Sequence, residues 1–236
     1  MNLSFITWNI WFDELLRKER TKKIMEECLN HSPDFVAFQE VTSETSFIIN
    51  SLKKDYHIIG YPLRQVYDTL ILSKYECVDW RRYELPYSQM GRNLLIGEFN
   101  CNGKNISVGT FHLESVFNNN FVKINQLEYI KSITNNVVLM GDTNFVVDEP
   151  VLGLVDVFEK IHQPLAFKYT YCGANNSNIR RKSYKSRLDR IYLKNIDCKV
   201  SSFFFLGEKP DVYSNGKVIC PSDHFGIFTS ISIYNL

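Results

Sequence analysis

The chain has 236 residues, 44% hydrophobic and 14% aromatic, a composition that excludes a disordered polymer and supports one large core. Lys and Arg number 27 against 26 Asp and Glu, a net charge of +1, so no whole-molecule field draws it to nucleic acid or membrane, and any polyanion contact must come from a local patch. Its 6 cysteines form no C-x-x-C pair, which argues against a structural zinc site and for free thiols.

In chain order, LSFITWNI reads as a strand. The N-terminal segment lacks the basic flank and small-residue cleavage site of an export signal, so an intracellular protein of nucleus or cytoplasm, not secreted, is expected. DELLRKERTKKIMEECLNHSP follows as an amphipathic helix with Leu15, Leu16, Ile24, Met25 and Leu29 on its apolar face, ending before Pro33. DFVAFQEV is a short buried strand, and a second helix covers Ser43 to Lys54. From DTLILSK the pattern shifts to strands. LLIGEFN and ISVGTFHL flank Cys101, Asn102 and Gly103, and Asn-Gly signals an antiparallel hairpin. Phe121 to Thr134 returns to helix, with Ile124, Leu127, Ile130 and Ile133 along one side, and leads into VVLM, which breaks into Gly141, Asp142, Thr143 and Asn144. RLDRIYLK, SSFFFL, a second Asn-Gly at Asn215 and Gly216, and GIFTSISIY complete the chain. Strands outnumber helices in mixed order, with no linker, repeat or membrane span. Residues 1–236 are therefore expected to form one α/β domain, a four-layer α/β/β/α sandwich of two packed mixed sheets.

Several apolar runs end in residues that carry chemistry. FITWN ends in Asn9, FVAFQE in Glu40, VGTFHLES carries His112, Glu114 and Ser115, SRLDRIY holds Asp189, and CPSDHFG holds Asp223 and His224. Each alone has a bland explanation. Asp142 and Asn144 are turn formers, Asn9 and Glu40 strand-ending polars, His112 a hydrogen-bonded core histidine, Asp189 a partner of Arg187 or Arg190, and Ser222 with Asp223 a helix cap. Together they specify carboxylates, carboxamides and imidazoles on separate strands, without a Ser-His nucleophile pattern or a Gly-rich phosphate loop. Carboxylate and amide oxygens suit a hard divalent ion, Mg²⁺ or Mn²⁺, which polarises a phosphoryl oxygen. A remaining carboxylate can activate water, while His and Asn donors hold the charge developing on phosphorus.

TWN, QE, HLES, GDTN, LDRI and SDH, in this order from residue 7 to residue 226, resemble the motifs of the metal-dependent endonuclease/exonuclease/phosphatase superfamily. Within it, MGRNLL (Met90 to Leu95), HLES and GDTN are most similar to the branch that hydrolyses 5′-phosphotyrosyl bonds on DNA, releasing the tyrosine of a trapped topoisomerase. The resemblance implies that Glu40 binds Mg²⁺ with Asp223 supporting the metal shell, and that Asn9 bonds near metal and phosphate. Asp142 would activate or orient the attacking water, with Asn144 beside it, projecting to the same side of the strand. His112, Ser115 and Arg92 would hold the phosphate, and His224, oriented by Asp189, would donate to it. The water's proton goes to Asp142 or to His224. The implied partners are DNA 5′ ends bearing tyrosyl or peptide adducts, or protein-linked RNA, with no membrane, and a monomer is expected.

The chain departs from the family pattern in places. Trp11 stands where an acidic metal ligand is usual, with Asp13 the nearest acid, and Phe145, Val146, Val147 and Asp148 stand where Leu-Arg-Asp is usual. Tyr171 and Leu188 stand where larger or aromatic residues are usual, which leaves less area to stack on a base or tyrosyl ring. Arg180, Arg181, Lys182, Lys185, Arg187 and Arg190 read as the local phosphate-tracking patch. Three other readings stay open: a general or abasic-site nuclease, a lipid or inositol phosphate phosphatase, and a non-catalytic nucleic-acid-binding module on the same scaffold.

Overall fold

The structure is a computed structural model that describes residues 1–116, 120–145, 151–161 and 168–235; Val146, Val147 and Asp148 lie outside them. The first half of the chain forms β1 (Asn2–Asn9), α1 (Arg17–His31), β2 (Phe35–Val41), α2 (Ser43–Ile49), β3 (His57–Ile59), β4 (Asp68–Ser73), β5 (Cys77–Glu84), β6 (Asn93–Cys101) and β7 (Lys104–His112). The second half forms α3 (Phe121–Ile133), β8 (Val137–Asp142), β9 (Val155–Asp156), β10 (Tyr171–Cys172), β11 (Lys185–Ser186), β12 (Asp189–Lys194), β13 (Asp197–Leu206), β14 (Val212–Ser214), β15 (Lys217–Ile219) and β16 (Gly226–Asn235). Two 6-stranded mixed sheets result, in the orders β13-β16-β1-β2-β4-β3 and β5-β6-β7-β8-β12-β9.

The central core lies between the sheets, where Phe5, Phe35, Ile71 and Ile227 meet Leu95, Val108, Met140 and Ile191. A second cluster joins Ile24, Met25 and Cys28 of α1 to Trp8 and Phe38 on the outer face of the first sheet. A third joins Leu127 and Ile130 of α3 to Phe111 and Leu139 on the second. Helices therefore cover both outer faces, giving the expected four layers. It also explains why β4 and β8 are buried at every position instead of alternating. Among the described residues no helix is long and apolar enough to cross a membrane.

Both Asn-Gly pairs form the turns their chemistry requires. Asn102 and Gly103 sit at φ 56° and 85°, and Asn215 and Gly216 at 49° and 76°, the left-handed pair that closes a tight hairpin. Other expectations are corrected. Leu15 and Leu16 precede α1, and Leu29 is 43% exposed, because the buried face runs through Arg20, Thr21, Ile24, Met25 and Cys28. The second helix is α-helical only to Ile49 and tightens to a 3₁₀ turn over Asn50–Lys54. In α3 the buried face is Val122, Lys123, Gln126, Leu127 and Ile130, leaving Ile133 37% exposed.

What matters for the site is strand direction. Most pairings are antiparallel, but β1 with β2, and β7 with β8, run parallel, with α1 and α3 as their crossovers. The carboxyl ends of these four strands carry Asn9, Glu40, His112 and Asp142. β12 and β16 run antiparallel to β8 and β1, so their beginnings, with Asp189 and the segment just before Gly226, fall at the same edge.

Candidate active site

Gly141 sets the register at the centre of this edge. A Cβ there would lie 1.9 Å from the Phe111 carbonyl oxygen, so only glycine lets β8 press this closely on β7. The pairing then places Asp142 opposite His112 on one side and opposite Asp189 on the other. Residues that are far apart in sequence become neighbours through two adjacent ladders.

Asp142 is the hub. Its Oδ2 lies 3.0 Å from Asn9 Nδ2, 3.4 Å from His112 Nε2 and 3.9 Å from His224 Nε2, and its Oδ1 accepts from the Asn144 amide at 2.8 Å. Burial pushes this carboxyl up, but His112, His224 and the Asn144 and Asn9 donors outweigh it and hold Asp142 below the usual carboxylate range. Asn9 spans two acids, since its Nδ2 also donates to Glu40 Oε1 at 3.0 Å, while its Oδ1 accepts from the Trp11 amide at 3.1 Å.

His112 is fixed by its other nitrogen. Arg92 Nη1 lies 2.7 Å from His112 Nδ1, and a guanidinium can only donate, so Nδ1 accepts and the proton sits on Nε2, facing Asp142. Burial, then the Arg92 charge, push His112 well below its ordinary value, so it is a neutral N–H donor. Arg92 also donates to Ser115 Oγ at 3.2 Å. His224 is the opposite case. Its Nδ1 lies 2.8 Å from Asp189 Oδ2, and although burial lowers it, Asp189 and Asp223 raise it well above the ordinary histidine value. Asp189 is itself positioned from behind by Thr170, whose Oγ1 accepts from the Leu188 and Asp189 amides at 3.0 Å.

Of the remaining acids, Glu40 is answered by two uncharged donors and Asp223, among the described residues, by almost none. Glu40 lies at a β-bulge with φ 63°, a strained conformation that turns its carboxylate out of the β2–β4 ladder toward the cleft. Burial pushes it up, partly offset by the Phe12 amide at 2.9 Å and by Asn9. Asp223, among the described residues, accepts one weak bond, from Ser222 Oγ at 3.4 Å, and burial together with Glu40 pushes it up to about 7. Asp223, raised by burial and Glu40, and Glu40, raised by burial and Asp142, are two half-buried carboxylates without a cationic hydrogen-bond partner among the described residues, which fits a hard divalent cation. Asp142, Asp189 and His224 also present ligand atoms within 4.8 Å of one another. There, however, the His224 and Asp189 atoms already satisfy each other, so this trio reads better as proton-handling machinery than as a metal cage.

A cavity of about 890 Å³ opens beside these groups, lined by residues that include Trp11, Asn144, Tyr171, Leu188, Asp223 and His224. Arg180 and Arg181, both exposed, stand on its wall. The basic stretch is nonetheless smaller than its sequence suggests. Arg187 and Arg190 are buried and pair with Asp156, with Nη1 atoms 2.5 and 3.0 Å from its Oδ2, so neither faces a substrate. Asn144 also departs from expectation. β8 ends at Asp142, and Asn144 sits at φ 52° with its Nδ2 donating to the Leu113 carbonyl at 3.0 Å. It reaches the cavity through a left-handed turn, not by strand alternation.

Glu114, named in the sequence without a role, and Lys123 and Arg20, not singled out there, complete the site. Glu114 is fully buried and its two oxygens accept from Ser88, Gln89, Met90, Ser115 and Val116, which ties the loop carrying Arg92 to the end of β7. An acid inside a buried run was the available signal. Lys123 of α3 is also buried and donates to the Asn144 carbonyl at 2.7 Å. Arg20 is buried beneath Trp11.

Residues 6–224 match the Endonuclease/Exonuclease/phosphatase family. The chain is 29% identical over 253 residues to tyrosyl-DNA phosphodiesterase 2 of Homo sapiens, covering 98% of this chain and 68% of that protein. It is 27% identical over 251 residues to the Gallus gallus protein of that name, covering 98% of this chain and 67% of that one. The chain thus spans about two thirds of the length of the curated relatives it matches. The crystal structure of the C. elegans enzyme superposes with a TM-score of 0.85 at 25% identity, covering 98% of this chain and 75% of that one.

Proposed function

We infer the reaction from one premise: this chain belongs to the endonuclease/exonuclease/phosphatase family, whose members are divalent-metal-dependent hydrolases of phosphoesters. The function supported best is hydrolysis of the 5′-phosphotyrosyl bond between a protein-derived tyrosine and a DNA 5′ end, a DNA-repair activity. Its support is the likeness to tyrosyl-DNA phosphodiesterase 2 along 98% of the chain, together with the site geometry. Mg²⁺ is the proposed ion, held by Glu40 and Asp223. When bound, such an ion neutralises charge on the phosphoryl and leaving oxygens.

The side chains have distinct roles. Asp142, ionised and braced by Asn9, takes the proton of the attacking water, which moves from the water oxygen to Oδ2 as the new P–O bond forms. His112 Nε2–H, from the end of β7, and His224 Nε2–H, from the segment just before β16 in the other sheet, donate to the non-bridging oxygens on which charge builds. His224, held protonated by Asp189, is a poor acceptor, which favours Asp142 over it as the base. Arg92 keeps His112 in the donating tautomer, and Ser115 fixes Arg92. The P–O bond to the tyrosyl oxygen breaks, leaving a 5′-phosphate on the nucleic acid and a tyrosyl oxyanion that takes a proton from solvent to become a free phenol.

The single observation carrying this reading is that Asp142 Oδ2 faces Asn9, His112 and His224 at 3.0, 3.4 and 3.9 Å. The test is purified protein with a 5′-tyrosyl oligonucleotide and, in parallel, an abasic duplex, each with Mg²⁺ and with chelator. Tyrosine release that needs the metal supports the proposal, whereas cleavage confined to the abasic duplex would shift the assignment to an abasic-site endonuclease.

A further inference from the structure

We propose that Trp11 is a substrate-stacking residue that holds a nucleobase of the single-stranded segment next to the scissile phosphate. The inference rests on the reading above, that a nucleic-acid strand occupies the cavity.

Trp11 lines the cavity together with Tyr171, Tyr184, Leu188, Arg180 and His224. Its indole rests on the Arg20 guanidinium, 4.5 Å from the ring centroid. Arg20 is fully buried and does not line the cavity, so it lies behind the ring and leaves the opposite face to the cavity. The support is rigid. Arg20 donates to the carbonyls of Ile10, Trp11, Asp13, Leu15 and Pro221 at 2.6 to 3.3 Å. Trp11 itself, at φ 60°, is held by its amide bond to Asn9 Oδ1. A large ring with its backbone and one face already fixed loses little freedom on stacking, and aromatic faces interleaved with exposed arginines are how proteins hold single strands. The phosphate end of the cavity is at His224 and Asp223, and Arg180 and Arg181 provide the cations along its wall.

The probe is a short 5′-phosphorylated single-stranded oligonucleotide, which is the proposed product and is not turned over. Trp11→Ala is expected to weaken its binding roughly tenfold, and Trp11→Phe less, with melting curves confirming folded protein. In wild type, removing a base from one of the first few nucleotides should weaken binding, and that penalty should vanish in Trp11→Ala. Independently, in Trp80→Phe protein, where Trp8 is fully buried, the oligonucleotide should quench the one indole left that is not fully buried, the half-buried Trp11. This measurement decides the question if Trp11→Ala fails to fold. Unchanged binding in Trp11→Ala, with binding weakened in an Arg180→Ala, Arg181→Ala double variant, would overturn the stacking role and leave the nucleic-acid reading standing. No binding by wild type would remove both.

Discussion

Asp68 accepts from Arg82 Nη1 at 2.7 Å, from Asn93 at 3.3 Å and from the amides of Arg64 and Thr69 at 2.8 Å, whereas Asp223, at the other buried polar centre, accepts one weak bond from Ser222. The two Nη atoms of Arg82 are answered as well, donating also to Asn93 Oδ1 and to the Gly60 and Thr69 carbonyls, and its Nε alone has no partner among the described residues. The two centres teach how to separate structure from function in a buried cluster. A charge-balanced pair with many hydrogen bonds braces the strands it joins. An acidic group left with little to bind is organised around something that arrives later, here a cation and a phosphate.

The sharpest way to break this contrast is to neutralise one group in each centre. Asp142→Asn should lower kcat by about three orders of magnitude, in the range general-base loss produces, while leaving the melting temperature close to wild type. Arg82→Ala should do the reverse, costing about 3–5 kcal/mol of stability by stranding Asp68, with the activity per folded molecule retained. Paired denaturation curves and single-turnover rates read both.

The pH dependence sharpens it further. Asp223 is at about 7 when folded, against about 3.9 for a free aspartate. Without metal, the native state therefore keeps a proton that the unfolded state has lost, and stability falls as pH rises across that window. Asp223→Asn should raise the metal-free melting temperature at pH 7.5 and reduce the stabilisation that Mg²⁺ confers. For His224 the shift is upward as well, but the group is a base. Its contribution to stability is full below the unfolded histidine value and is lost as pH rises through the folded one. kcat/KM should fall along that same alkaline limb, and Asp189→Asn should bring the limb to lower pH. The smallest effect expected is at Tyr171, where Trp adds stacking area and should lower KM a few-fold.

Much of this was legible in the sequence because it is encoded locally. Asn-Gly at two hairpins, apolar runs that close on Asn9, Glu40, His112 and Asp142, and helices between parallel strands all follow from short-range pattern. What stayed hidden depends on distant partners or on backbone handedness. Arg187 and Arg190 look like the core of a basic patch until Asp156, more than 30 residues upstream, draws them inside. Asn144 follows a strand yet leaves it through a left-handed turn. Glu114 gains its meaning only when the loop at Ser88 to Met90 folds back onto it.

The most direct test is release of tyrosine from a 5′-tyrosyl oligonucleotide, measured for wild type and Asp142→Asn with Mg²⁺ and with EDTA. The account predicts a 5′-phosphorylated product from wild type in Mg²⁺ and almost none in the other three reactions. Undiminished release by Asp142→Asn, or by wild type in EDTA, would contradict it.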